Sequence, residues 1–279
     1  AYFFALAGMI GCLPAFQSNQ LIQITGDLAF SEIENFNIFG GLALAGITGI
    51  VVIGGLKRIA EVATFLVPLM GSIYFGAMIV ALILNLNLVL PAFKLILVDA
   101  FNGTAIAGGT FFGVLIYGVR RGAFSNEAGM GTESLVHGVA KVSNPVKQGL
   151  VAMTGPIFDT LIICTATALM ILVSGVWETS SSQGVTLTSE AFSVLLGSLG
   201  GFILFVCVIC FGLSTIFTYS YYGASCSRFL FGKFGMKFYI YLYILSIFIY
   251  SIVPIDIAIN IADGAFAMMA IPTLISALW

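Results

Sequence analysis

The chain returns again and again to apolar runs long enough to cross a bilayer. A transmembrane helix takes roughly 20 mostly apolar residues. Eight such spans can be drawn, at about Ala1 to Ile22, Ile38 to Gly54, Thr64 to Leu84, Ala100 to Val119, Gly149 to Val173, Leu195 to Tyr221, Phe238 to Val253 and Ile255 to Leu278. Composition agrees: 60% of the residues are hydrophobic and 8% charged, against about 25% charged in a soluble domain. The runs lack the alternation of a membrane barrel, so they read as helices. The expected fold class is an all-α, polytopic membrane protein forming a single transmembrane domain over residues 1–279. No water-soluble domain fits between the spans. The chain starts inside an apolar run with Ala1, which reads as a trimmed or partial sequence.

Charge placement orients it. Lys57 and Arg58 follow the second span, Arg120, Arg121, Lys141 and Lys147 the fourth, and Arg228, Lys233 and Lys237 the sixth. Nine of the ten basic residues thus fall on alternate connectors, with Lys94 the exception. The positive-inside rule puts those connectors in the cytoplasm. A net charge of -2 points to no nucleic-acid partner. The five cysteines lie in or beside apolar runs, a setting for packing rather than disulfides.

Some residues are out of place in lipid. Asp159 lies about ten residues into the fifth span, roughly 15 Å deep, and Asp263 about eight residues into the eighth, roughly 12 Å deep. An intramembrane carboxylate faces protein or water, as a functional group or as a hydrogen-bonded structural contact. The fourth span carries Asn102, Gly103, Gly108, Gly109 and Gly113 after Pro91. That pattern suits either two half-helices offering bare backbone at depth or a glycine packing face. On the sixth span, Thr215 and Tyr219 share one face and Ser214 and Thr218 another. Such hydroxyls either ligate a hard cation such as Na⁺ or satisfy helix carbonyls.

Several motifs carry a resemblance. GAFSNEAGMG from Gly122 to Gly131, His137, PVKQGLVAM from Pro145, and DTLIICTATALMIL from Asp159 resemble the alanine or glycine:cation symporter family of amino-acid carriers. GGLKRIAEVATFLVPLMGSIY from Gly54, SYYG from Ser220 and MAIPTLI from Met269 fit the same family. The resemblance covers nearly the whole chain. It implies a leucine-transporter-like fold of two inverted five-helix repeats, of which these spans would be core helices three to ten. The first two core helices, which in such carriers hold the substrate carboxylate and part of the Na⁺ site, would be absent.

The resemblance also implies roles. Gly108, Gly109 and Thr110 match the unwound point of the sixth core helix, where substrate lies. Ser214 and Thr215 match the Ser-Thr pair of the eighth, which serves substrate and Na⁺. Gln17 and Asn19 match a polar pair on the third. Tyr219 stands where the family usually has Trp, which would alter the pocket. Tyr117 is kept, but Ile116 replaces an Arg, and GVRRG replaces Gly-Val-Ala-Arg-Gly. After a broken helix a polar cytoplasmic cap would gate the inner path, with Asn126 and Glu127 bonding helix ends and Arg120 and Arg121 pairing with carboxylates.

The expected function is symport of a small neutral amino acid, alanine or glycine, with Na⁺ as coupling ion or H⁺ in its stead. Lipid, amino acid and monovalent cation are the partners, and neither cofactor nor enzymatic chemistry is implied. One rival is an intramembrane aspartyl protease using Asp159 and Asp263, but neither aspartate has the Gly-x-Gly-Asp setting associated with such enzymes. The other is an ion channel, for which no repeated pore loop or charged ring is evident.

Overall fold

The computed structural model describes residues 1–101 and 110–279. Among the described residues the regular structure is helical. Four helical stretches among them are long and apolar enough to cross a bilayer: Gly55–Leu84, Pro145–Ser174, Ser198–Ile252 and Ile255–Ala277. The chain divides into two compact units.

The first unit comprises Ala1–Gly71, Gly129–Asn144 and Phe205–Trp279. Its helices are α1 (Tyr2–Gly11), α2 (Ala15–Ala29), α3 (Phe36–Val52) and the first part of α4 (Gly55–Leu84). The expected first span is therefore two helices. Pro14 has no backbone N–H and biases Leu13 away from helical geometry, so the chain breaks between them. Helix α1 packs on the C-terminal helix Ile255–Ala277 through small residues. A Cβ on Gly11 would stand 2.8 Å from Met269 Sδ and 3.2 Å from Ala265 Cβ, so only glycine permits this approach. The stretch Ser198–Ile252 is helical apart from Gly232, whose φ of 69° and ψ of -157° divide it into two arms. Tyr239 and Tyr243, both almost fully buried on the second arm, donate to the carbonyls of Met9 at 2.9 Å and Ile216 at 2.6 Å.

The second unit comprises Ser72–Ala128 and Pro145–Leu204. It holds the rest of α4, α5 (Leu86–Ala100), α6 (Thr110–Asn126), the long helical stretch Pro145–Ser174, and a short helix Val185–Leu196. Pro91, which precedes the fourth span's glycines, lies inside α5. Helix α6 also outruns the fourth span: Arg120, Arg121 and Ala123 favour helix, and it ends only at Asn126. At the centre of this unit Tyr74 stacks on Phe192 at 5.5 Å, and its hydroxyl meets Thr167 Oγ1 at 2.7 Å. Met78, Met170 and Phe192 are fully buried around them.

The stretch Pro145–Ser174 contains a π-helical segment, Ile157–Cys164. Such segments are rare and concentrate at functional positions. Pro156 stands immediately before it. A proline inside a helix donates no bond and crowds the carbonyl four residues back, which favours the wider turn that follows.

Candidate functional site

The residues singled out by sequence fall into three groups. Gly108 and Gly109 lie outside the described residues, and Thr110 is the first residue of α6. The other two groups belong one to each unit.

In the first unit, Ser214 and Thr215 lie on the first arm of Ser198–Ile252. Ser214 is buried and donates to the Phe211 carbonyl at 2.9 Å. Its oxygen keeps lone pairs that can still accept or ligate. Thr215 is half-buried and makes no hydrogen bond among the described residues. Tyr219, one turn on, is buried against Phe266, with ring centroids 6.5 Å apart. Gln17 on α2 is half-buried and also makes no hydrogen bond among the described residues. Leu21, one turn along from Gln17, packs so tightly on Gly212 that a Cβ there would collide with it. This contact sets the Gln17 face of α2 against the helix that carries Thr215. Asn19 has a different task. Its amide donates to the carbonyls of Val253 at 2.7 Å and Tyr250 at 3.3 Å, capping the end of the second arm. A cavity of about 500 Å³ beside these helices is lined by Leu21, Phe36, Leu44, Ile209 and Leu213 among others. With Thr25 its one hydroxyl, it offers no charged anchor for a zwitterion. Asp263 is half-buried on the C-terminal helix.

The far half of the Ser-Asn-Glu-Ala-Gly signature also belongs to this unit. Gly129 and Gly131 have φ of 80° and 89°, as turning glycines should. A Cβ on Gly131 would stand 2.7 Å from both Phe4 and Thr273, and Thr273 Oγ1 donates to the Met130 carbonyl at 3.3 Å. Two family-like motifs, Gly-Met-Gly and Ile-Pro-Thr, therefore touch. Beyond them Thr132 is fully buried and opens a short helix, Thr132–His137. Burial raises the pKa of Glu133 there, and the nearby His137 partly offsets this.

In the second unit, the near half of the signature meets the π-helical segment. Ser125 Oγ donates to Asp159 Oδ2 at 2.5 Å and lies 3.3 Å from Cys164 Sγ. Asn126 Nδ2 donates to Thr160 Oγ1 at 2.8 Å, and Thr160 donates to Asp159 at 3.2 Å. Asn126 Oδ1 accepts the Ala128 N–H at 2.9 Å, closing a turn just as Glu127 takes a φ of 54°. Arg121 lies over the rings of Phe124 at 5.2 Å and Tyr117 at 5.6 Å, giving it aromatic partners beyond the carboxylates expected. Sequence reasoning missed Ser125 and Thr160 as partners of Asp159. The available signal was a proline three residues before an intramembrane aspartate, followed at once by threonine.

The family model described as the sodium:alanine symporter family matches residues 1–279. The chain belongs to that family. Relatives bear this out along nearly its whole length. An uncharacterized transporter, YflA of Bacillus subtilis, is 35% identical over 99% of this chain and 59% of its own length. The sodium/alanine symporter AgcS of Methanococcus maripaludis is 34% identical over 96% of this chain and 60% of its own length. A probable sodium/glutamine symporter, GlnT of Bacillus subtilis, is 33% identical over 92% and 54%. The chain thus spans about 60% of the first two of these relatives. Members of the sodium:alanine symporter family are membrane transporters, so the protease and channel readings find no support.

Proposed function

We propose that this chain is the greater part of a carrier that moves a small neutral amino acid, alanine or glycine, inward with Na⁺ by alternating access. One observation carries the reading: the match to the sodium:alanine symporter family runs from residue 1 to residue 279. A relative named for sodium and alanine supports the substrate, while one named for glutamine marks how far family members diverge. Gly108, Gly109 and Thr110 would present backbone groups to the substrate, and Gln17, Thr215 and Tyr219 would line it. Ser214 and Thr215 would help ligate Na⁺. The hydroxyl of Thr215 and the amide of Gln17 lack hydrogen-bond partners among the described residues, which leaves them open to a ligand. Ion binding that helps assemble the pocket raises amino-acid affinity, and the reverse holds equally. Rocking of one helix bundle would then expose the site to each side in turn. Asn126, Glu127, Arg120 and Arg121 would form the inner gate.

The test is uptake of labelled alanine by the full-length protein in proteoliposomes. An inward Na⁺ gradient accelerates uptake, and glycine competes. Uptake driven by a proton gradient alone would assign H⁺ as the coupling ion. Uptake indifferent to every cation gradient would overturn symport.

A further inference from the structure

The carrier reading leaves the polar cluster around Asp159 without a task. We propose that Asp159, Ser125 and Thr160 form a Na⁺ site, separate from the one assigned to Ser214 and Thr215. The choice of Na⁺ rests on the reading of the chain as a sodium-coupled carrier; the existence of a cation site does not.

Four observations converge. Asp159 sits within a 30-residue apolar stretch that is long enough to cross a bilayer. Among the described residues no basic group pairs with it. A carboxylate at that depth is costly and is stabilised by a partner charge or by hydrogen bonds, and among the described residues Asp159 has hydroxyl donors alone, Ser125 and Thr160. Those hydroxyls are not fixed in that role: each can rotate its hydrogen away and turn a lone pair to a cation. The oxygens come from two separate elements, the last turn of α6 and the π-helical segment. A helix C-terminus carries partial negative charge and favours a cation.

Access and charge then narrow the ligand. Asp159 and Thr160 are half-buried and Ser125 is exposed, so the cluster is not sealed inside the protein. Among the described residues no group of three His, Cys, Asp or Glu side chains could hold a metal ion. One carboxylate with neutral oxygens suits a monovalent hard cation rather than a divalent one. Asn126 would act as a positioning residue, because its amide donates to Thr160 Oγ1 and so orients that hydroxyl.

The experiment measures equilibrium binding of radioactive Na⁺ to the purified full-length protein without amino acid, so it does not depend on transport. In Asp159→Asn the side chain still accepts from Ser125 but loses its charge. The expected result is loss of one bound Na⁺ per protein, or weakening of one binding step by about 10- to 100-fold, the scale seen when a metal site loses a supporting partner. Asp159→Glu restores part of the binding, which a purely structural role would not produce. Ser125→Ala and Thr160→Val each weaken the same step and serve if Asp159→Asn fails to fold. Unchanged Na⁺ stoichiometry and affinity in all of these overturns the site. Unchanged Na⁺ binding with lost proton binding in Asp159→Asn overturns the sodium assignment. If wild type binds Na⁺ through Asp159 yet carries no amino acid, the site stands and the symport reading falls.

Discussion

Tyr243 Oη donates a 2.6 Å hydrogen bond to the carbonyl of Ile216, across the break at Gly232. Both residues are fully buried. The bond ties the second arm of the helix to the part of the first arm that carries Thr215. Tyr243→Phe keeps the ring packing and removes only the donor. The expected loss is about 1 kcal/mol. For a chain of this size the thermal midpoint in detergent then falls by about 2–4 °C, measured by size-exclusion chromatography after heating.

Gly232 holds a φ of 69° with a ψ of -157°, a region that side chains strain to adopt. Among the described residues nothing lies within 4 Å of a Cβ built there, so the penalty expected is the backbone's. Gly232→Ala is expected to cost about 1–3 kcal/mol. A midpoint equal to that of wild type would show that the arms can rearrange around the break.

Ser18 is fully buried on α2, and its hydroxyl has no hydrogen-bond partner among the described residues. A stranded donor costs about 1–3 kcal/mol in desolvation. Ser18→Ala removes the polar group and is expected to leave stability unchanged or raise it by about 1 kcal/mol. A clear drop in the thermal midpoint would show that the hydroxyl finds a partner in the working protein.

Glu190 accepts from Ser182 at 2.5 Å, and hydrogen bonds from Ser180 and Ser182 hold its pKa below the ordinary value of 4.5. The folded state therefore binds this proton less readily than the unfolded chain. The contribution to stability is present above pH 4.5 and is lost as pH falls through the folded value. Glu190→Gln should flatten the acid limb of thermal midpoint against pH. Amide exchange around Ser182 should rise in acid in wild type only.

The apolar runs made α3 and the C-terminal helix legible almost to the residue, because uninterrupted hydropathy is the signal that lipid selects. The break at Pro14, the length of α6 and the helix carrying Lys94 and Asp99 were harder. There, continuation depends on backbone geometry, and charged residues suit a helix as well as a loop. The motif GAFSNEAGMG carries its turns openly, since Gly129 and Gly131 take the positive φ that glycine allows. The pairing of Ser125 with Asp159 was not, since 34 residues separate them and only a tertiary contact joins them. Asn19 read only as half of a polar pair with Gln17, and the structure gives its amide the end of a neighbouring helix to cap. A polar side chain in an apolar run announces a need for a partner without saying which.

The wide coil that starts after Pro156 holds more backbone per revolution than the rod on either side of it. Such slack works like a vernier. If one residue is taken up or let out, everything beyond rotates, and Thr167, whose hydroxyl meets Tyr74, is re-aimed without the rod being broken. A carboxylate seated inside the slack is well placed to feel which setting the rod has taken.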